Sequence, residues 1–384
     1  MPTKRYYFWQ YLLSIQHMTR RVTKSRAISA ILEERIQRGD YVLRGLQSDR
    51  SIADEFGVSR LTAYQALRKL VEKGIVRRKK NGRLELPGAE GVPSESRQIA
   101  FLAPSFPSPF LQRLRVATEQ TALKQGCSFR PIDYLHWTDQ VVYETLAAFD
   151  GVVLCSPGGA IPDLVMQRIS AGRAGVLSLN IDLSGHGIPS LQVDAHEGVH
   201  TLCDHLAGLG HSQVDCLQVH GASPGLSLRL QQWSVWKAAH GVTGELHDHD
   251  LPPYANPMLE GYRVARELLA TGRLRASAVF CTTELTTIGA CRAMVEAGLT
   301  PGREISICTF GGDGLCRFAN PAVTCLEHPD LSPYLQLWSA WIARGRTGWV
   351  GPLHMRPGGT LFAGESTAPP GGWPDGAHRV SAQP

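Results

Sequence analysis

The chain reads as an α/β protein, with a small winged helix-turn-helix followed by a larger body of parallel sheets carrying helices on both faces. Three observations predict this. Gly57-Val58-Ser59-Arg60-Leu61-Thr62 sits between two apolar-periodic segments, Asn81-Gly82 separates two short runs rich in Lys and Arg, and from residue 98 short apolar strands alternate with amphipathic helices. At 384 residues the chain is also too long for a single core.

In chain order, residues 1–22 form an N-terminal extension. Tyr6 to Leu13 is aromatic-rich but lacks the length and small-residue cleavage site of a secretory signal, so the extension reads as an over-long start or a short helix. Within 23–86, Ile28, Ile31, Leu32 and Ile36 give a first amphipathic helix ending near Gly39. Ile52, Ala53 and Phe56 share one face of a second helix, which Gly57 ends in a left-handed conformation. Ser59 is placed to cap a third, Arg60 to Lys73, whose buried stripe is Ala63, Ala66, Leu67, Leu70 and Val71. Arg60, Thr62, Tyr64, Gln65, Arg68 and Lys69 then face outward, a surface able to donate to phosphates and base edges, and Gly74 closes the helix. Ile75 to Lys79 and Arg83 to Leu86 flank Asn81-Gly82 as a hairpin, the wing, with Lys80, Gly82 and Arg83 at its tip.

Residues 87–97 hold two prolines and almost no apolar side chains, which marks a solvated linker. In the body, 98–367, strands are expected at Gln98–Ala103, Gly151–Cys155, Gly175–Asn180, Val214–Val219, Ala278–Cys281 and Ile305–Phe310. Helices are expected at Phe110–Gln125, His196–Gly208 and Thr286–Gly298. The tail 368–384, rich in Pro, Gly and Ala, reads as disordered.

Charge divides along the same line. Residues 1–97 carry 20 Lys/Arg against 10 Asp/Glu and the remainder 19 against 24, as expected of a nucleic-acid-binding head on an acidic body. No apolar run approaches membrane-spanning length. The nine cysteines include no Cys-x-x-Cys pair, which fits reduced thiols in a cytoplasmic protein. No glycine-rich phosphate loop follows the first strand, so no nucleotide cofactor is expected.

Two histidine clusters have to be weighed. His196-Glu197-Gly198-Val199-His200 fits the His-Glu-x-x-His pattern of zinc hydrolases, whose histidines share a helix face beside a glutamate that activates water. A pattern with three fixed positions arises readily by chance among 14 histidines, and Gly198 weakens the helix it would need. His247-Asp248-His249-Asp250, followed by Leu251-Pro252-Pro253, reads as an exposed loop. Neither is taken as a metal or catalytic site.

Residues 26–86 resemble the winged-helix domain of the GntR family through Gly39-Asp40-Tyr41, Leu46 to Arg50, Ile52-Ala53, Gly57 to Thr62, Ala66-Leu67, Leu70 and Gly74-Ile75. Leu46-Gln47-Ser48-Asp49-Arg50 replaces the usual Leu-Pro-Ser-Glu-Arg, keeping the arginine and losing the proline. The resemblance implies that Arg50 and Arg60 contact DNA, with Ser59 and Thr62 at the backbone. Tyr64 and Gln65 would stand among the variable base-reading positions, and Lys80, Gly82 and Arg83 on the wing would approach the minor groove.

The body resembles the LacI-family effector domain, which has the two-lobed periplasmic-binding-protein fold. The carrying motifs are Ile99 to Pro104 with Ser108-Pro109-Phe110, Phe149-Asp150-Gly151-Val152, Val193-Asp194, Leu209-Gly210-His211, Ala278 to Cys281 and Gly298-Leu299-Thr300-Pro301. A GntR-type head on such a body is the arabinose-repressor arrangement. It implies a homodimeric transcriptional regulator, a repressor, that binds double-stranded operator DNA and closes its lobes on a small-molecule effector, a pentose or related saccharide, with a purine or other polar metabolite as the alternative. Carried over by position, Arg229 in Leu228-Arg229-Leu230 falls on the arginine that forks onto sugar hydroxyls. Thr283-Glu284 replaces an Asn-Asp pair, and Thr309-Phe310-Gly311-Gly312 replaces Gly-Tyr-Asp-Asp, leaving Asp313 to reach in. Glu327 falls on a polar crossover position, and Ser105 and Phe110 on the mouth of the first strand. The rival readings are a zinc-dependent hydrolase using His196, Glu197 and His200, and a sugar sensor whose head docks protein.

Overall fold

Two serine caps and one left-handed glycine shape the N-terminal unit. The computed structural model describes residues 23–37, 41, 46, 48–78, 84–85, 97–156, 158–221, 223–251 and 255–371. The extension, most of the linker, the wing tip with Lys80, Gly82 and Arg83, and the end of the tail lie outside the described residues. The chain divides into two units, Met1–Ser96 and Arg97–Pro384.

In the first unit, α1 (Lys24–Gln37), α2 (Asp49–Phe56) and α3 (Arg60–Glu72) surround one apolar core. Ser48 Oγ accepts the Ser51 amide at the start of α2, and Ser59 Oγ accepts the Thr62 amide at 3.2 Å at the start of α3. Between them Gly57 adopts φ 61°, a conformation that costs other residues a clash at Cβ. Ile28, Leu32, Ile52, Phe56, Ala63, Ala66, Leu67 and Leu70 are buried, while Val71 and Ile36 pack at the margin. The wing pairs β1 (Arg77–Arg78) with β2 (Leu84–Glu85) antiparallel, Arg77 opposite Glu85.

The second unit begins with β3 (Gln98–Pro104), α4 (Pro109–Lys124), β4 (Ser128–Tyr134), α5 (Gln140–Ala148), β5 (Gly151–Cys155), α6 (Asp163–Ala171), β6 (Gly175–Leu179) and β7 (Ser190–Leu191). It continues with α7 (Ala195–Gly208), β8 (Val214–Val219), α8 (Pro224–His240), β9 (Leu246–His249), α9 (Pro257–Ala270), β10 (Ala278–Cys281), α10 (Glu284–Glu296), β11 (Ser306–Phe310), α11 (Leu315–Phe318) and β12 (Thr324–Glu327). It closes with α12 (Ser332–Ala343), β13 (His354–Met355) and β14 (Thr360–Phe362). Lobe 1 holds an all-parallel sheet in the order β13-β7-β6-β5-β3-β4. Lobe 2 holds β14-β12-β11-β10-β8-β9, parallel except for β14. The chain passes between the sheets after β7, after β12 and after β13, and these three crossings form the hinge.

Because helices cover both faces of each sheet, the central strands are largely apolar, and their alternation separates two cores. In lobe 2, Leu217, Val279 and Ile307 face α9 and α10, whereas Cys216, Phe280, Cys308 and Phe310 face α7 and α8 with Trp233 and Trp236. Burial pushes the Cys155 and Cys281 thiols above their ordinary value, so both stay protonated as small core residues. Among the described residues no helix is long and apolar enough to cross a membrane.

Helices α9 and α10 meet backbone to backbone at glycines. A Cβ on Gly289 would lie 2.0 Å from the Met258 carbonyl oxygen, which the helix holds in place. Gly289→Ala is therefore expected to destabilise the second unit by about 1–3 kcal/mol. Calorimetric melting checks this; an unchanged transition would contradict such close packing.

Two expectations are corrected here. The sequence His247-Asp248-His249 is not a loop but part of β9, an edge strand paired in parallel with β8. His247 is buried, with Nε2 3.3 Å from Asp215 Oδ2, because Asp215 in β8 also accepts the Glu245 amide and so satisfies the strand's polar groups. At the other end, the ordered chain runs past the expected boundary at Thr367, since the Ala368 carbonyl accepts from His211 Nε2 and Ser306 Oγ, each at 2.9 Å.

Candidate functional site

Between the two lobes lies a cavity of about 970 Å³ including its open mouth, lined by the carboxyl ends of β5, β8, β10 and β11 and the first turns of α4, α8 and α10. This is where ligands bind in open parallel sheets. Sequence-predicted Phe110, Arg229, Thr283, Glu284 and Asp313 all line it.

Arg229, on the second turn of α8, lies with its guanidinium carbon 3.8 Å from the centre of the Phe310 ring and donates from Nη1 to the Thr282 carbonyl at 2.6 Å. Burial pulls its pKa down to about 9, partly offset by the Asp313 charge, so the group remains cationic at neutral pH. The Asp313 carboxylate is buried and held from two sides: His328 Nδ1 lies 2.9 Å from Oδ2, and Arg113 Nε lies 2.9 Å from Oδ1. The Arg113 contact is an ion pair without an aligned N–H, since Oδ1 has no hydrogen-bond partner. Arg113 Nη1 and Nη2 instead donate to the His328 and Pro329 carbonyls on the second crossing.

Glu284 plays a different part from the one expected of a ligand residue. Its carboxylate accepts the amides of Asp313, Leu315 and Cys316, so it fixes the loop that presents Asp313 and starts α11. Burial raises its pKa, and those amides oppose the rise.

Ser105 and Glu327 are not at the cavity, and both are corrected. Ser105 follows the end of β3, bonds through its amide to the Tyr134 carbonyl, and lines an adjoining groove with Arg115 and Asp133. Glu327 is the last residue of β12 and forks onto Arg317 at 2.5 and 2.9 Å, and it does not line the cavity. The next residue, His328, lies just past the end of β12 and lines the cavity instead. Sequence reasoning missed His328, together with Phe310, His220 and Asn180. His328 packs on Phe110 with ring centres 4.2 Å apart, and Phe106 meets His220 edge-on at 5.4 Å.

His328, His220 and His211 are each held below the ordinary 6.5, first of all by burial. A histidine lowered in the folded state contributes stability that is intact above its unfolded value and lost as pH falls through it. Glu284, raised, works in the opposite sense but alone. The melting temperature of the protein is therefore expected to fall between about pH 7.5 and about pH 5.5, above the range where lowered aspartates such as Asp150 act. A flat or rising profile in that window would contradict this.

The surface of α3 is the second candidate. Arg60, Tyr64, Gln65 and Arg68 are exposed and Thr62 is half-exposed, while the opposite stripe is buried. Arg60 Nε is 3.0 Å from Asp49 Oδ2, Arg68 pairs with Glu72, and the Arg78 guanidinium on the wing lies 5.5 Å from the Tyr64 ring. Leu61, 66% exposed, was not anticipated; it adds an apolar group to the same face. Arg50 is exposed near the start of α2.

The His196-Glu197-His200 turn opens α7. His196 Nδ1 lies 2.7 Å from Gln232 Oε1, its imidazole meets that of His200 at a tilt of 47° with centres 4.1 Å apart, and Glu197 lies against Gly358. Gly198 packs directly on Phe310 and Leu326, where a Cβ would come within 2.6 Å of the ring. A packing requirement thus accounts for the glycine. Among the described residues no group of three or more His, Cys, Asp or Glu is placed to hold a metal.

The family model for periplasmic binding proteins and the sugar binding domain of LacI family matches residues 96–336, and that for bacterial regulatory proteins of the gntR family matches residues 24–85. The HTH-type transcriptional repressor MelR of Bacillus subtilis (strain 168) is 22% identical over 225 residues, 57% of this chain; the chain spans 63% of that relative's length. Among solved structures, a LacI family transcriptional regulator from Enterococcus faecium with bound ribose superposes with TM-score 0.58 and 20% identity, covering 71% of this chain and 99% of that one. The lactose repressor bound to the anti-inducer ONPF gives TM-score 0.60 and 18% identity over 70% and 99% of the two chains. At such identities the structures speak for the fold.

Proposed function

From the premise that the chain belongs to the family of periplasmic binding proteins and the sugar binding domain of LacI family, and carries a GntR-type head, we propose that it is a transcriptional repressor. It binds operator DNA through α3 and the wing, and a small polyhydroxylated effector in the cavity between its lobes controls that binding. One observation carries the reading: a single chain joins a cation-rich, exposed helix of helix-turn-helix geometry to a hinged body whose cleft holds a half-buried arginine on an aromatic ring. The matched repressor and the sugar-bound and anti-inducer-bound structures support it.

The mechanism is linkage. An effector that favours one lobe arrangement shifts the population of the protein, and its effect on DNA affinity equals its differential affinity for the arrangements. A homodimer would present two heads to a roughly palindromic site, in line with the lac repressor, which is solved as a dimer on its operator. The protein acts by binding alone, as a cytoplasmic regulator. The DNA contacts are assigned to Arg50, Ser59, Arg60, Thr62, Tyr64 and Gln65, with Lys80, Gly82 and Arg83 on the wing. The effector contacts are assigned to Phe110, Arg229, Thr283 and Asp313.

Gel-shift titration with the DNA upstream of its own gene tests the reading. Binding that weakens steeply with salt is expected, because each phosphate contact releases counterions. A head that ignores DNA at low salt would point instead to a protein partner. Zinc at one equivalent, with hydrolysis lost in His200→Ala, would favour the hydrolase.

A further inference from the structure

We propose that the cavity takes a polyhydroxylated carboxylate, a sugar acid, in preference to a neutral sugar. The inference rests on the reading of this cavity as the effector site.

Arg229 has no carboxylate within ion-pair distance among the described residues; its contacts are the Thr282 carbonyl and the Phe310 ring. The Asp313 charge acts on this guanidinium without pairing with it, and an incoming anion would supply the direct ion-pair partner that the cavity lacks. The first turns of α4 and α8 end at the same cavity, carry no acidic side chain, and bring the positive ends of two helices of 16 and 17 residues.

Carboxylates are the strongest acceptors for a neutral sugar's hydroxyls, and of the two acidic side chains of the lining only Asp313 keeps an oxygen, Oδ1, without a hydrogen-bond partner. Glu284 accepts three backbone amides, and Asp313 lies between Arg113 and His328. His328 adds a second buried, unpartnered acceptor for a hydroxyl. Its imidazole is more than nine-tenths buried, lines the cavity, and has no partner for Nε2. The Asp313 carboxylate can only accept, so Nδ1 carries the proton and Nε2 offers a lone pair. A ligand that satisfies both groups presents a carboxylate to Arg229 and a hydroxyl donor to His328. A plain carboxylate lacks the second, and a neutral sugar lacks the first.

Isothermal titration of the full-length protein with matched pairs tests this: D-galacturonate against D-galactose, D-glucuronate against D-glucose, D-gluconate against D-sorbitol. At least one acid is expected to bind about tenfold or more tightly than its neutral partner, with the margin shrinking as salt rises. Arg229→Gln should bring that acid down to its neutral partner, with Arg229→Lys keeping part of the preference; the wild-type pairs decide the matter if neither variant folds. Equal or tighter binding of the neutral member in every binding pair, or no binding by any of the acids, overturns the proposal. If a neutral sugar binds and changes DNA affinity, the sensor reading stands while the acid preference falls; if the acids bind and DNA affinity stays constant, the reverse holds.

Discussion

Replacing Arg60 with alanine is expected to weaken binding to operator DNA by about 10- to 100-fold while leaving the fold intact, since a well-placed arginine contact to a base contributes about 1–3 kcal/mol. Arg60 is the first residue of α3, and its side chain is 72% exposed. Asp49 holds it in an exposed ion pair 3.0 Å long, a kind of pair whose net worth is about 0–1 kcal/mol. The arginine can therefore leave Asp49 for DNA at little cost, and before it leaves the pair holds the side chain near the end of the recognition helix. Fluorescence anisotropy with a labelled duplex from upstream of the gene measures the effect. An Arg60→Ala protein that melts like the parent and binds that duplex equally well would remove Arg60 from the interface.

The second large effect is expected at Arg113. This residue of α4 in lobe 1 reaches Asp313 of lobe 2 and the carbonyls of His328 and Pro329 on the crossing, so one side chain bridges both lobes and the hinge. Asp313 is only 2% exposed, whereas Arg113 is 39% exposed. Removing the cation leaves a buried carboxylate with His328 alone; allowing for the exposure of Arg113, Arg113→Ala should cost about 2–4 kcal/mol. The melting temperature should drop by roughly 5–10 °C. In an Asp313→Asn background the same change should cost much less, because the charge left behind is gone. Equal costs in the two backgrounds would show that the carbonyl contacts, not the ion pair, tie the lobes together.

Much of this architecture was legible because local and global signals agree. Gly57, Ser59 and the stripe from Ala63 to Leu70 each dictate one step of the helix-turn-helix, and the structure places all of them as the spacing requires. The central strands at Gly151, Val214 and Ala278 begin and end as expected, since burial on both faces favours apolar residues through most of their length. Edge strands gave weaker signals. Leu246–His249 carries two histidines and an aspartate, and only its pairing with Asp215, 31 residues before Leu246 in the chain, makes that composition tolerable in a strand.

In the cavity, Arg229 and Asp313 could be found by position, but His328 could not. The neighbouring Glu327 fits a polar role equally well, and which of two adjacent residues faces inward depends on a register that the sheet alone determines. Glu284 shows a similar limit: a carboxylate at the head of α10 is visible in sequence, whereas its commitment to three amides of a loop some 30 residues later depends on the tertiary path.

The most direct measurement of the central claim is the DNA affinity of the wild-type protein with its cavity empty and filled. Anisotropy titrations of the upstream duplex, run without ligand and with saturating amounts of whichever compound in the sugar and sugar-acid panel raises the melting temperature, should differ by at least about fivefold, a typical lower bound for coupled sites. Reciprocally, the DNA should change the affinity for that compound by the same factor. Identical DNA affinities in the two titrations, with the cavity demonstrably occupied, would contradict the account.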